Sequence, residues 1–215
     1  MAKERIIRAS NYLQLDGVTD QTVALQGLLD QALTHGPITL LLDGMAAVTG
    51  LRLHSNTTLL CPDAGCGLFL LEDSDQPLLQ FANPHRSEIC TENIAVLGGS
   101  YRVNCFRQMR KDRISQKRRK VFLPEVSRED PEQAFVGFRF IGVRNLTVRD
   151  VTLEDHQSCG MLFCNWENVS VENVYLEVPD PRYCQSLDSL HILQPGQQLS
   201  VNGLHFRSGS DEYLK

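Results

Sequence analysis

The sequence lacks most of the features that would assign it at a glance. Its seven cysteines are odd in number and show no paired spacing, which argues against a disulfide framework. Cys61 and Cys66 have no second ligand pair elsewhere in the chain, which argues against zinc held by paired cysteines. No apolar run approaches the length of a membrane span. The opening Met-Ala-Lys-Glu-Arg-Ile-Ile-Arg has no apolar h-region, so no secretory signal is expected and a thiol-reduced cytoplasmic setting follows. The formal charge is −5, which disfavours nonspecific nucleic-acid binding. No aromatic ladder interleaves with the basic residues, so a single-strand binding platform is not expected either.

What is present is repetition. Asn93-Ile-Ala-Val-Leu-Gly-Gly-Ser-Tyr101, Asn145-Leu-Thr-Val-Arg-Asp-Val-Thr-Leu153, Asn168-Val-Ser-Val-Glu-Asn-Val-Tyr-Leu176 and Gln198-Leu-Ser-Val-Asn-Gly-Leu-His-Phe206 share one pattern. Each is a polar turn residue, a short β-branched run, a second polar turn and another apolar run. Asn145 and Asn168 are 23 residues apart, and Asn168 and Gln198 are 30 apart. A unit this short cannot bury its apolar face alone and must stack on copies of itself, which predicts a β-solenoid. The sequons at Asn145 and Asn168 coincide with the repeated turn position and read as turn residues whose amides bond along a ladder.

The rest of the 215 residues fits one domain. Residues 1–37 read as an N-terminal strand and helix cap, with a short strand and turn over residues 5–15 and a turn over Asp16–Thr22 that opens the helix. Thr19 and Asp20 are candidate N-caps, and Leu25, Leu28, Leu29, Ala32 and Leu33 have the spacing of one apolar helix face. His35-Gly36-Pro37 ends the helix. Such a helix covers the open end of a solenoid, which otherwise exposes unpaired edges. Residues 38–101 read as the first coils, 102–134 as a basic excursion from the wall, and 135–215 as later coils, cut short at the C-terminal end. Strands are expected at Ile38–Leu42, Leu51–Leu53, Thr58–Leu60, Leu68–Leu71 and Leu78–Phe81. The excursion carries Arg107, Arg110, Lys111, Arg113, Lys117, Arg118, Arg119 and Lys120.

Several segments resemble a known superfamily. Asp16-Gly-Val-Thr-Asp-Gln-Thr22 is similar to the N-terminal cap of pectate-lyase-superfamily proteins, and Leu51-Arg-Leu-His-Ser-Asn-Thr-Thr-Leu59 to the strand that follows there. Asn93–Tyr101 resembles that superfamily's Asn-Ile-x-Val-x-Gly-Gly coil. The later repeats resemble the polygalacturonase-like branch, the family 28 glycoside hydrolases. The resemblance covers nearly the whole chain. It implies an all-β fold, a right-handed single-stranded parallel β-helix with an N-terminal capping α-helix.

The resemblance also points to chemistry. Ser186-Leu-Asp-Ser-Leu-His191 resembles the family's Asn-x-Asp-Gly-x-His segment, so Asp188 and His191 match its Asp and His. Ser208-Gly-Ser-Asp-Glu212 resembles its Gly-Asp-Asp segment, so Asp211 matches the second Asp and Ser210 stands where the first should be. Asp188 and Asp211 are separated by the same 23 residues as Asn145 and Asn168, which predicts adjacent rungs of one face, about 4.8 Å apart. Carboxylates stacked that way could hold a water and raise each other's pKa. In the resemblance, Asp188 and Asp211 activate water in an inverting hydrolysis, with His191 beside them. Ser210 cannot serve as the leaving-group acid, and Glu212 is a candidate substitute.

Other residues carry two readings each. Asp155-His156 is a turn between coils or a subsite. Arg107 and its basic neighbours form a solvated loop or attract a polyanionic uronate chain. The function expected is a polygalacturonase-like glycosidase acting on pectic or other acidic polysaccharide, without metal or organic cofactor. A non-catalytic carbohydrate-binding or structural module is the alternative. A calcium-dependent lyase ranks last, because the sequence shows no acidic cluster of the kind it needs. The expected partner is a poly- or oligosaccharide, with neither nucleic acid nor membrane involved. An uncovered last coil also predicts homo-oligomerisation.

Overall fold

Alternation of apolar and small polar residues, interrupted by polar turn residues, bends this chain into stacked rungs. The computed structural model describes residues 4–74, 76–108, 136–156, 159–178, 188–193 and 196–208; of Phe106, Asp188, Ser189 and Ser208 it describes the backbone. Most of the expected excursion therefore lies outside the described residues, as do Ser210, Asp211 and Glu212.

In chain order the chain forms β1 (Arg5–Arg8), β2 (Asp16–Asp20), α1 (Thr22–Leu29), α2 (Gln31–His35), β3 (Ile38–Leu41) and β4 (Met45–Val48). There follow β5 (Leu51–Leu53), β6 (Thr57–Leu60), β7 (Gly67–Leu70), β8 (Leu79–Phe81), β9 (Thr91–Leu97) and β10 (Ser100–Arg102). The last coils use β11 (Val136–Arg149), β12 (Thr152–Glu154), β13 (Cys159–Val178), β14 (Asp188–Ile192) and β15 (Gln197–Ser208).

All pairings among these strands are parallel, and they build three walls. The first wall stacks β1, β3, β6, β9 and the later parts of β11 and β13, then β15. The second stacks β2, β4, β7, β10, β12, the end of β13 and the end of β15. The third stacks β5, β8, the start of β11, the start of β13 and β14. The chain is a right-handed parallel β-helix with an N-terminal helical cap.

The predicted repeat is the rung. Leu146 pairs with Val169, an offset of 23, and Val169 pairs with Leu199, an offset of 30. Ile94, Val96, Leu146, Val148, Val169 and Val171 point inward and are buried, while Ala95, Thr147 and Ser170 alternate outward. The polar turn residues are the corners. Asn56, Asn93, Asn145, Asn168 and Gln198 all adopt positive φ between 56° and 63°. Asparagine tolerates this left-handed conformation, which costs most other side chains dearly. A second corner stacks Gly98, Asp150, Asn173 and Gly203, again all at positive φ. Gly98 is obligatory there, because a Cβ would lie 2.2 Å from the carbonyl oxygen of Cys61.

Aromatic rings fill the third wall's inner face. Phe81, Phe140 and Phe163 stack on successive rungs, with centroids 4.9 and 5.9 Å apart. Tyr101 meets Phe138 edge to face at 5.0 Å. Trp166 packs into the same core at 7% exposure.

The N-terminal cap differs from expectation in three respects. Asp16–Asp20 is strand β2 rather than a turn, so residues 5–20 already contribute to the first and second walls. The Asp16 carboxylate still makes the expected local turn, accepting from Val18 N at 2.9 Å and Thr19 N at 2.8 Å. These amides hold its pKa down at about 2. The N-cap residue is Gln21, although Asp20 accepts from Thr22 N at 2.8 Å and so serves the first turn. Leu33 is 67% exposed rather than buried, because the helix breaks at Asp30 and α2 runs on its own. Leu25, Leu28, Leu29 and Ala32 are buried as expected. Gln26 closes the edge of β5 with its amide: Nε2 donates to Arg52 O and Oε1 accepts from Arg52 N, both at 2.9 Å. A side chain thus substitutes for the missing neighbouring strand.

Candidate functional site

Asp188 and His191 lie on β14, in the third wall. Asp188 pairs with Cys159, Leu190 with Met161, and His191 with Leu162. In a regular strand, residues three apart face opposite ways. The rungs beneath depart from that rule. Val136 and Cys159 occupy the Asp188 column, and Arg139 and Leu162 the His191 column. Val136, Cys159 and Leu162 nevertheless pack together, with Ile141 and Cys164, in a cluster separate from the main core. Phe138 and Met161, between these columns, point into the main core. Gly137 and Gly160 intervene between the two columns, and the rungs approach closely there, since a Cβ at Gly137 would lie 2.8 Å from Gly160 O. The Asp188 and His191 columns therefore share one outer face in the two preceding rungs.

Among the described residues, that face carries little charge. Arg139 is its buried cation, at 4% exposure, with Nη1 donating to Gln80 Oε1 at 3.4 Å. His191 is half-buried. The remaining cluster members are apolar or thiol-bearing.

Asp155 and His156 end the second wall, just before the corner that leads to Cys159 and the third wall. His156 is 1% exposed, and burial pushes its pKa down to about 4, so it is neutral at pH 7. In this position it packs the corner and is not open to a dissolved sugar. Asp155 is half-buried at φ 57°, and its Oδ1 finds no partner among the described residues. Burial, with the neighbouring Glu154 charge, raises its pKa, and Arg102 opposes the rise. Arg102 Nε in turn meets Glu154 Oε2 at 3.1 Å.

Arg107 belongs to the same corner one rung earlier. Its turn follows Cys105, whose N–H donates to Asp155 O at 3.2 Å. Its guanidinium is exposed and 3.7 Å from Glu72 Oε1. Arg107 is thus in place near Asp155, at the corner from which the third wall starts. Arg102 pairs with Glu154 in the second wall.

Two cavities among the described residues contain no expected site residue. A cleft of about 270 Å³ lies between the first and second walls, lined by Cys61, Asp63, Gly98, Arg149, Asp150 and Thr152. Cys61 offers no nucleophile there, since burial pushes its thiol up to about 12.

No known family profile and no curated protein matches this sequence. Solved structures do match its shape. A candidate glycosyl hydrolase from Parabacteroides merdae superposes with a TM-score of 0.73 at 14% identity, covering 97% of this chain and 90% of that one. A family 28 exopolygalacturonase from Yersinia enterocolitica gives 0.70 at 16% identity, covering 98% of this chain and 46% of that one. A hyperthermoactive exopolygalacturonase from Thermotoga maritima gives 0.64 at 14% identity, covering 97% and 54%. The chain has a pectin-lyase-like β-helix fold. This β-helix spans about half the length of the two exopolygalacturonases it superposes on.

Sequence reasoning missed one set of residues on this β-helix. His85, Glu88 and Cys90 bring ligand atoms within 4.8 Å of one another on the loop before β9. Their spacing, His-x2-Glu-x-Cys, matches no motif weighed from the sequence, which tested only Cys61 with Cys66.

Proposed function

We propose that this β-helix is a glycoside hydrolase that cleaves acidic polysaccharide of the pectic type, with inversion at the anomeric carbon. The observation that carries the reading is the outer face shared by the columns beneath Asp188 and His191. In this reading Asp188 and His191 continue those two columns by one rung, as their backbone register with Cys159 and Leu162 supports. The proposal takes Asp211, 23 residues on, as the acidic residue of the next rung, a separation equal to that of Asn145 and Asn168.

The chemistry then follows. Asp188 and Asp211 take a proton from a water as its oxygen attacks the anomeric carbon. The bond to the leaving oxygen breaks, and that oxygen takes a proton from an acid on the opposite side, about 6.5–9.5 Å away. Glu212 is the acid of this proposal, since Ser210 is too weak an acid to fill the role. His191 orients the attacking group or the sugar. Arg107, Asp155 and His156 belong to the neighbouring corner, where Arg107 offers a cation to a uronate carboxylate and His156 supports the backbone. A cytoplasmic role, finishing imported oligosaccharides, belongs to the same proposal.

Ser210 favours a second reading, a β-helix that binds acidic carbohydrate without cleaving it. One assay separates the two. Reducing ends released from polygalacturonate in the presence of chelator, and lost in Asp188→Asn, support hydrolysis. Saturable binding with no release supports the binding module. Release at an unchanged rate in Asp188→Asn removes Asp188 from the mechanism.

A further inference from the structure

We propose that His85, Glu88 and Cys90 bind one zinc ion at the corner between the third and first walls. The inference does not depend on the hydrolase reading.

Three observations carry it. The first is the donor set. An imidazole nitrogen, a carboxylate oxygen and a thiol sulfur lie within 4.8 Å of one another on exposed side chains. Zinc bonds of about 2.0–2.3 Å put tetrahedral ligands roughly 3.3–3.8 Å apart, so rotamer changes of about an ångström close the site. Imidazole with thiolate suits zinc and disfavours calcium and magnesium, which take oxygen ligands.

The second is that the backbone of this loop is held from the next two rungs before any ion arrives. Cys90 N donates to Gly142 O at 3.0 Å, and Asn165 Nδ2 reaches His85 O at 3.5 Å. Gly142 has φ 75°, and a Cβ there would lie 2.6 Å from Glu88 O and 2.7 Å from His85 O. The loop seats only because residue 142 is glycine. The carbonyls of two of the three ligands rest on that one position.

The third is access. Cys90 borders a cavity of about 230 Å³, shared with His54, Asn83 and Thr91, which leaves room for water as the fourth ligand. His85 Nδ1 lies 3.4 Å from Ser87 Oγ, an outer-shell contact that leaves Nε2 for the ion. Cys61 and Cys66 do not compete, since both are buried and burial raises both thiols. Cys90 is exposed, and on binding its thiol releases one proton to solvent while the sulfur bonds to zinc, with no change of oxidation state. The ion closes the loop between β8 and β9 on itself and stabilises the folded chain by mass action.

Titration of the whole chain with zinc alone, followed by calorimetry, tests this, with cobalt as the spectroscopic probe. One ion per chain is expected, with release of a proton, a rise in Tm and a sulfur-to-cobalt charge-transfer absorption. Cys90→Ser should abolish the absorption, and His85→Ala should weaken zinc by more than the roughly 10–100-fold that disturbing an outer-shell partner costs. Cys61→Ser should leave both unchanged. Persistence of the absorption in Cys90→Ser, or equal zinc affinity in the parent chain and Cys90→Ser, overturns the proposal.

Discussion

Asn168 Nδ2 donates to Asn145 Oδ1 at 2.9 Å. Asn145 repeats the bond to Asn93 at 2.9 Å, and Asn93 to Asn56 at 2.8 Å. Four amides from residues up to 112 positions apart thus form one continuous line along a corner. The two inner members, Asn93 and Asn145, use the carbonyl toward one neighbour and the amide toward the other. All four also accept a positive φ that a β-branched residue would resist.

Asn145 is inside this line, so Asn145→Ala loses two side-chain bonds and strains the corner. The expected loss is about 1–3 kcal/mol in unfolding free energy. Asn145→Gly keeps the backbone at ease and should lose less. Urea unfolding of the two variants separates the bonds from the strain.

Gly98→Ala should destabilise by about 2–4 kcal/mol, because the new methyl meets the Cys61 carbonyl and φ is +72°. Gly27→Ala is the control. Gly27 lies in α1 with nothing within 4 Å of the place a methyl would occupy, so that change should stabilise by roughly 0.5–1 kcal/mol. Thermal unfolding at one pH reads both, and equal shifts would refute the steric account.

His156 predicts a pH dependence of stability. Its folded pKa is about 4 against an ordinary 6.5. Between those values the unfolded chain binds the proton and the folded chain does not, so stability falls as pH drops from 6.5 toward 4. The loss approaches about 1.4 kcal/mol per pH unit through that window. Asp43 acts lower. Partial burial opposes its charge, but Arg8 and Ser10 outweigh that and hold it at about 2, so its contribution is lost only below about 3.8. Replacing His156 by Leu should flatten the upper window and leave the lower one intact, as measured by denaturant unfolding at a series of pH values.

Arg107→Gln separates binding from stability. The pair with Glu72 is exposed and 3.7 Å long, so its loss should change unfolding free energy by less than about 1 kcal/mol. The proposed contact with a uronate carboxylate should instead appear as a raised KM for polygalacturonate with kcat little changed. An unaltered KM would take Arg107 out of substrate binding.

The repeated coils were readable because their signals are local. A polar residue that tolerates positive φ, followed by alternating Val, Leu or Ile, carries its own instruction, and Asn93, Asn145, Asn168 and Gln198 all sit where that pattern put them. Strand β4 was not readable. Met45-Ala-Ala-Val48 has little β-branching, and its neighbours β2 and β7 on either side make it a strand. Leu33 failed for the opposite reason, because helical spacing promised a continuous face that the break at Asp30 interrupts. At the candidate site, resemblance alone singles out Asp188 and His191, and their spacing of three by itself says that they face apart. Only the packing of Val136 and Cys159 with Leu162 shows two columns turned to one side.

By itself, the order of residues determined the winding: the rung length, the corners and the buried columns. These depend on φ preference and on hydrophobic alternation, which act over a few residues. Tertiary structure decided what the rungs bring together. His85 gains a seat against Gly142, Gln26 closes an edge at Arg52, and His156 loses its charge in a dry corner. Each outcome is set by neighbours that the winding brings close and that lie tens of residues away along the chain, so it leaves no local trace.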